Sequence, residues 1–159
     1  MKVKVVKRKS ATNRLLKNLG QKHQVKVGHF KDQGEHESGY TYPELMALHS
    51  KGYTTIYFGD EVDVPARPVL DVVKFRVNNA PNFFFNGLQH TSRKGFRSED
   101  IKDYLEDVGE RIKQEEQEII GSPSWLISNK PSTIRMKEGR NTPLEDTGDL
   151  KSKVDVRVK

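Results

Sequence analysis

The sequence predicts an α+β fold, in which a small, mostly antiparallel sheet packs against one long helix and two or three shorter helices. Short segments of alternating valines lie near both ends of the chain, and helix patterns with start and stop signals lie between them. Hydrophobic residues make up 33% of the 159 positions, which suits one small core. We therefore expect a single domain over residues 1–159, with a basic N-terminal arm at about residues 1–10 and a loop insertion around residues 78–97.

Strand and helix signals begin at the N-terminus. Residues 1–6, MKVKVV, alternate valine with lysine and predict a short strand. The next segment predicts a helix that Ser10 caps and Gly20 closes, with leucines on one face. Residues 24–30, QVKVGHF, then predict a second strand.

The strongest helix start lies in residues 41–52, TYPELMALHSKG. Thr41 and Glu44 have the spacing of a capping box, and Pro43 is tolerated in the first helical turn. Gly52 predicts the end of this helix. The β-branched and aromatic residues that follow, TTIYF, predict an edge strand.

The segment VPARPVLDVVKFRV, residues 64–77, fits two interpretations. Its apolar residues have helical spacing from Pro68 onward, but the second half also alternates like a strand, and we favour the helix. Residues 78–97 then predict an irregular loop whose three phenylalanines are pinned to an apolar surface. That surface is the chain's own core in a monomer, or a neighbouring subunit in an oligomer. The candidate interface residues are Phe83, Phe84 and Phe85.

The longest predicted element is a helix from Ser98 to about Ile120, because apolar residues recur on one stripe and Gly121 follows. The stripe consists of Ile101, Tyr104, Leu105, Val108, Ile112 and Ile119. A short helical turn between Pro131 and Gly139 comes next. The alternating valines of KVDVRVK predict a half-exposed closing strand.

The composition excludes several classes of function. The chain has no cysteine, so disulfides, cysteine-bound zinc and a thiol nucleophile are excluded, and we expect a cytosolic folding site. No run of roughly 18 apolar residues is present, so we expect no membrane association. The sequence also lacks phosphate-binding glycine loops, HExxH and a nucleophile elbow. We therefore expect no enzymatic activity, no cofactor and no metal site.

The tripeptide Asp146-Thr147-Gly148 is also the signature of aspartic proteases, in which two aspartates share one proton. The flanking residues do not fit that chemistry, since Glu145 and Asp149 add like charge and the chain has no second DTG, which only a homodimer would supply. A turn explains the tripeptide better. Gly148 is free to adopt a positive φ, and Asp146 is placed to accept backbone N–H groups downstream.

The net charge of +6 is unevenly distributed. Residues 2–17 include seven basic side chains and no acidic one, whereas residues 99–118 are acidic. The asymmetry suits a subunit whose opposite ends attract, a basic end that faces nucleic acid, or solvated faces without a partner. A DNA-binding accessory role is therefore the alternative function, with the phenylalanines as stacking groups. The candidate DNA-facing residues are Lys7, Arg8 and Lys9.

Several segments between residues 25 and 158 resemble a known family when they are taken in order. They are VKVGHF, TYPELMALHSKG, VPARPVLDVV, KPSTIRMK and TPLEDTGDLKSKVDVRV. The family is that of the tail-completion or virion-morphogenesis proteins of tailed bacteriophages, whose IPxRPF, TxxxK and PLxDTGxL elements they resemble. The matching residues are Pro65, Arg67, Pro68, Pro131, Thr133, Lys137, Pro143, Leu144, Asp146, Thr147, Gly148 and Leu150. Residues 52–62 depart from the pattern as an insertion.

The resemblance implies a non-enzymatic virion protein that completes the tail or joins it to the head at the phage neck. It implies a hexameric or dodecameric ring, in contact with neck and tail proteins such as the adaptor, the head-closure protein and the tail terminator or tube. It also implies assembly in the host cytoplasm and non-specific contact with phage DNA. In such a ring we expect the segment from Pro65 to Pro68 to be a rigid contact, with Arg67 paired to a neighbour's carboxylate.

Overall fold

The computed structural model describes residues 23–57, 59–80, 82–84, 88–89 and 97–159. The strand predicted at residues 1–6 and the helix predicted between Ser10 and Gly20 lie outside the described residues. So do the candidate DNA-facing residues Lys7, Arg8 and Lys9, and Phe85 of the phenylalanine run.

The described strands form two separate antiparallel pairs. Strand β1 (Val25–Gly28) pairs with strand β4 (Asp155–Val158), so residues from the two ends of the described chain lie side by side. Strands β2 (Tyr53–Tyr57) and β3 (Asp60–Val64) form a hairpin of their own. The α+β class is confirmed, with its sheet divided into two ribbons. The hairpin occupies most of the segment that departs from the resemblance, and its second strand was not predicted.

Helix α1 (Tyr42–Lys51) begins where the capping box predicts. The backbone N–H and the hydroxyl of Thr41 both donate to the Glu44 carboxylate, at 3.0 and 2.6 Å. The helix ends at Gly52, which has a φ of 72°. A Cβ at Gly52 would lie 2.7 Å from the backbone nitrogen of Ala66, so only glycine lets these two segments approach so closely.

Helix α2 (Val69–Asn78) confirms the helical interpretation of the segment after Pro68, which is its N-cap. Val69, Val73 and Val77 are buried at a spacing of four residues, so they lie on one helical face. Phe75, which a strand would have placed beside two of these valines, is 60% exposed. The apolar face against the core decides for the helix.

Helix α3 (Ser98–Ile119) is the long predicted helix and packs against α2, β1 and β4. Three residues of the predicted stripe, Ile101, Val108 and Ile119, are buried. Helix α4 (Pro131–Met136) confirms the predicted short turn. Two further short helices were not predicted: a 3-10 turn at Lys31–Gln33 and helix α5 (Asp149–Ser152).

The core lies where α1, α2, α3 and the C-terminal segment meet. Phe83 belongs to it, and the Arg111 guanidinium lies 4.4 Å from the centre of its ring. Phe83 is therefore pinned to its own chain, which is the first of the two predicted alternatives, while Phe84 is 43% exposed. No helix in the described part of the chain is long and apolar enough to span a membrane.

Candidate functional site

Three motifs that are distant in the sequence meet around one cleft of about 410 Å³. The segment after β3 contributes Pro65 and Arg67, and helix α4 and its C-cap contribute Thr133 and Lys137. The C-terminal segment contributes Leu144 and the residues from Asp146 to Leu150. We call this feature the motif cleft, because it is lined by residues of the VPARP, TxxxK and PLEDTGDL elements. Their convergence was not predictable from their order in the chain.

Helix α1 and the β2–β3 hairpin complete the walls of the motif cleft. The rings of His49 and Tyr53 lie 5.5 Å apart, at the point where α1 passes into the hairpin. The hydroxyl of Thr54 on β2 donates to the carboxylate of Asp63 on β3 at 2.8 Å, so this carboxylate is bound within the hairpin. The backbone N–H of Arg67 donates to the His49 carbonyl at 2.8 Å, so the VPARP segment is fixed against α1.

Arg67 lines the motif cleft and is only 7% exposed. Its Nε donates to the carbonyl of Ile127 at 3.0 Å, and its Nη2 donates to Oδ1 of Asn129 at 3.0 Å. Both acceptors are neutral, and Arg67 forms no ion pair with a carboxylate of the described residues. Burial lowers the pKa of Arg67 below its ordinary value. The described residues thus bury one positive charge without supplying the negative charge that normally accompanies it.

Two polar atoms in the cleft walls are buried and have no hydrogen-bond partner in the part of the chain that the structure describes: Nδ2 of Asn129 and Nδ1 of His49. Arginine can only donate, so the amide atom facing Arg67 is the oxygen and the unpartnered atom is the amide nitrogen, a donor. Burial, followed by the charge of Arg67, lowers the pKa of His49 to about 4, so the imidazole is neutral at pH 7. A guanidinium bound only to neutral acceptors and an amide N–H₂ without an acceptor give the cleft the chemistry of an oxyanion receptor.

Lys137 joins the TxxxK and PLEDTGDL elements into one structural unit. Its Nζ donates to the carbonyls of Thr142, at 3.2 Å, and Glu145, and lies 3.7 Å from Oδ1 of Asp146. Pro143, between these acceptors, is fully buried, and its carbonyl accepts the N–H of Gly121 at 2.8 Å. The lysine therefore acts as a clamp on the loop, so the TxxxK element holds the PLEDTGDL element in place.

The DTG residues form a turn that leads into α5. Gly148 has a φ of 88° and is the N-cap of that helix, as the turn interpretation predicts. The expected bond from Asp146 is replaced by one from Thr147, whose hydroxyl accepts the N–H of Asp149 at 3.3 Å and donates to its carboxylate at 2.9 Å. The Asp146 side chain is 83% exposed beside Lys137, an environment unlike that of a proton-sharing aspartate pair. Leu144, with a φ of 62°, precedes the turn, and the buried Leu150 follows it in α5.

A second buried cluster, missed in the sequence, lies beneath the C-terminal segment. His29 and Glu116 have side chains 3% and 1% exposed, and Nδ1 lies 3.5 Å from Oε1. The other ring nitrogen, Nε2, lies 2.7 Å from the Leu150 carbonyl. Burial raises the pKa of Glu116 to about 7 and lowers that of His29. The sequence does contain a signal for the burial of Glu116. This residue lies four positions after Ile112 and three before Ile119, so it falls within the apolar stripe.

Comparison of the chain with protein-family models, with curated proteins and with solved structures finds no match. Within the described residues, no group of three or more histidine, aspartate and glutamate side chains could hold a metal ion. The function of the motif cleft must therefore be inferred from its own chemistry: a buried cation, an unpartnered amide donor and a lysine-clamped loop.

Proposed function

We propose that this protein is a structural component of a tailed-bacteriophage virion, which completes the tail or joins it to the head as part of a ring at the neck. The supporting observation is the motif cleft. The segments that carry the family resemblance are far apart in the sequence, yet they bond to or line a single feature. Chance similarity in unrelated turns gives no reason for these segments to meet at one cleft, whereas a fold shared with the family would bring them together.

The surface chemistry also favours assembly over catalysis. Several large apolar side chains are more than half exposed in the described residues, which suits contact with other subunits. They are Ile56 on the hairpin, Leu70 and Phe75 on α2, Ile127 in the loop before α4, and Met136 on α4. The acidic exposed face of α3 is opposite in charge to the basic sequence of residues 2–17, and opposite charges favour contacts between identical subunits.

The proposal is tested by the composition and shape of phage particles. Mass spectrometry of purified virions is expected to detect the chain in a fixed ratio to the major tail protein. A phage with this gene disrupted is expected to accumulate separate heads and tails under the electron microscope, and a plasmid copy is expected to restore joined particles. Virions that lack the chain, or that join normally without it, would remove the proposal.

The alternative function is a DNA-binding accessory protein, supported by the seven basic and no acidic residues in positions 2–17. It predicts affinity for duplex DNA that falls steeply with salt and is lost when Lys7, Arg8 and Lys9 are all changed to alanine. DNA affinity that is unaffected by the triple substitution would exclude this role for the N-terminal arm.

A further inference from the structure

We propose that the motif cleft receives a carboxylate from helix α3 of a neighbouring copy of this chain. The inference rests on the proposed ring and names the contact that builds it. The receptor is Arg67 with Asn129, and the incoming carboxylate belongs to a row of acidic side chains on the exposed face of α3.

The receptor offers hydrogen-bond donors on two residues that are more than nine-tenths buried. Nη1 of Arg67 has no hydrogen-bond partner among the described residues, since Nε and Nη2 are the nitrogens that bind Ile127 and Asn129. Nδ2 of Asn129, a residue only 8% exposed, is likewise unpartnered. A carboxylate has two oxygens and accepts several hydrogen bonds at once, so one such group would satisfy both donors and neutralise the guanidinium.

The walls of the cleft favour a single carboxylate over a polyanion. Asp63, Asp146 and Asp149 also line the cleft, and their negative charges oppose the approach of a phosphate backbone. Each of these three is held by its own chain: Asp63 by Thr54, Asp149 by Thr147, and Asp146 beside Lys137. Apolar walls, including Leu45, Val62 and Leu144, can cover the methylene stem of an inserted side chain. A glutamate side chain has this combination of an apolar stem and a charged tip.

The matching acidic surface lies on α3. Glu99, Asp103, Glu106 and Glu110 follow one another at spacings of three and four residues, so they lie on one helical face, and all four are exposed. We call them the acidic stripe. Glu110 pairs with Lys113 at 3.5 Å, whereas Asp103 and Glu106 form no ion pair with the described residues. The buried residues of α3 lie on the opposite face, so the acidic stripe is available to another molecule.

The positions of the motif cleft and the acidic stripe determine the kind of contact. No residue of α3 lines the motif cleft, so the carboxylate comes from a second copy. The two surfaces are different patches of the same chain, which makes the contact heterologous. Repetition of a heterologous contact produces a ring when the rotation closes.

Site-directed cross-linking tests this contact cleanly because the chain has no cysteine of its own. Full-length protein carrying Thr133→Cys, in the cleft wall, is mixed with full-length protein carrying Glu106→Cys, in the acidic stripe, and oxidised. The mixed disulfide dimer is expected at a yield about tenfold or more above a control pair in which Glu118→Cys, exposed on the same helix, replaces Glu106→Cys. A yield equal to that of the control would overturn the inference.

Competition identifies the chemistry that the cleft recognises. Millimolar N-acetylglutamate, present during the oxidation, is expected to lower the yield of the mixed disulfide dimer. N-acetylglutamine is expected to leave that yield unchanged. Arg67→Lys in the cleft partner, which keeps the charge and loses the planar fork, is expected to reduce the yield as well, with folding checked by circular dichroism. If Asn129→Ala is used instead, the same loss is expected. Competition by inorganic phosphate or duplex DNA in place of N-acetylglutamate would mean that the cleft takes a phosphate, and the inference would fail.

Failure of this inference is distinguishable from failure of the proposed function. If the chain is present in virions but the cross-link is not formed, the protein is a neck component that uses another contact. If the cross-link is formed but virions lack the chain, the receptor is correct and the virion assignment is wrong.

Discussion

Replacement of Glu116 by glutamine tests how the buried pair with His29 is protonated. Nε2 of His29 lies 2.7 Å from a carbonyl oxygen, which can only accept, so this nitrogen carries a hydrogen. In the neutral imidazole, Nδ1 is therefore an acceptor, and it faces Oε1 of Glu116 at 3.5 Å. The distance also permits an ion pair. Both side chains are almost fully buried, however, and burying two charges costs more than their attraction returns. We expect the proton on Glu116.

The size of the expected change in folding stability follows from the raised pKa of Glu116. The pKa rises from 4.5 to about 7 on folding, so the unfolded chain releases this proton first as pH increases. The contribution to stability is therefore fully present below pH 4.5, is lost between about pH 4.5 and 7, and leaves a penalty of about 3 kcal/mol above that range. The lowered pKa of His29 acts in the opposite sense, because the unfolded chain gains that proton first as pH falls below 6.5.

Glutamine has nearly the shape of glutamic acid, offers an amide N–H₂ toward the acceptor Nδ1 and does not ionise. Glu116→Gln is therefore expected to be more stable than the native protein by about 2–3 kcal/mol at pH 8, or roughly 5–10 °C in Tm, and nearly equal to it at pH 4.5. Urea unfolding followed by circular dichroism from pH 4.5 to 8 measures this difference. The exposed control Glu106→Gln is expected to stay within about 0.5 kcal/mol. A large loss of stability in Glu116→Gln at pH 8 would show an ionised pair and refute the burial argument.

Three further substitutions probe the clamp, the helix–sheet contact and the turn. Lys137→Met removes the donor to two loop carbonyls and is expected to cost about 1–3 kcal/mol in urea unfolding, while Arg135→Met, exposed on the same helix, costs less than about 0.5. Gly109→Ala makes a Cβ clash with the side chain of Val156, so Tm is expected to fall by an amount equivalent to about 1–3 kcal/mol. Asp146→Ala changes an exposed side chain, and both stability, within about 0.5 kcal/mol, and incorporation into virions are expected to be unchanged.

Each of these expectations has a contrary result. Equal stabilities of the Lys137→Met and Arg135→Met proteins would mean that the lysine does not hold the loop. A Gly109→Ala protein with native Tm would mean that α3 and the β1–β4 ribbon are less closely packed than described. A peptidase activity that disappears in Asp146→Ala would overturn the assembly proposal.

The sequence determined those features that depend on neighbours within one or two turns. The Thr41–Glu44 box is formed within a single helical turn, and the stripe on α3 follows from the helical period alone. The helix after Pro68 was identified in the same way. Strands β1 and β4 were found from alternation, because one face of each is turned toward α3.

The tertiary structure decided what depends on segments distant in the chain. Alternation does not say which strand pairs with which, so the division into two ribbons emerged only from the packing. The burial of Glu116 depends on what covers α3, and the neutral partners of Arg67 come from a loop about 60 positions away. One wall of the motif cleft is held by Lys137, which follows α4 and donates to the carbonyls of the loop before the DTG tripeptide. Local spacing encodes a helix or a strand; the chemistry of a cleft depends on which faces meet.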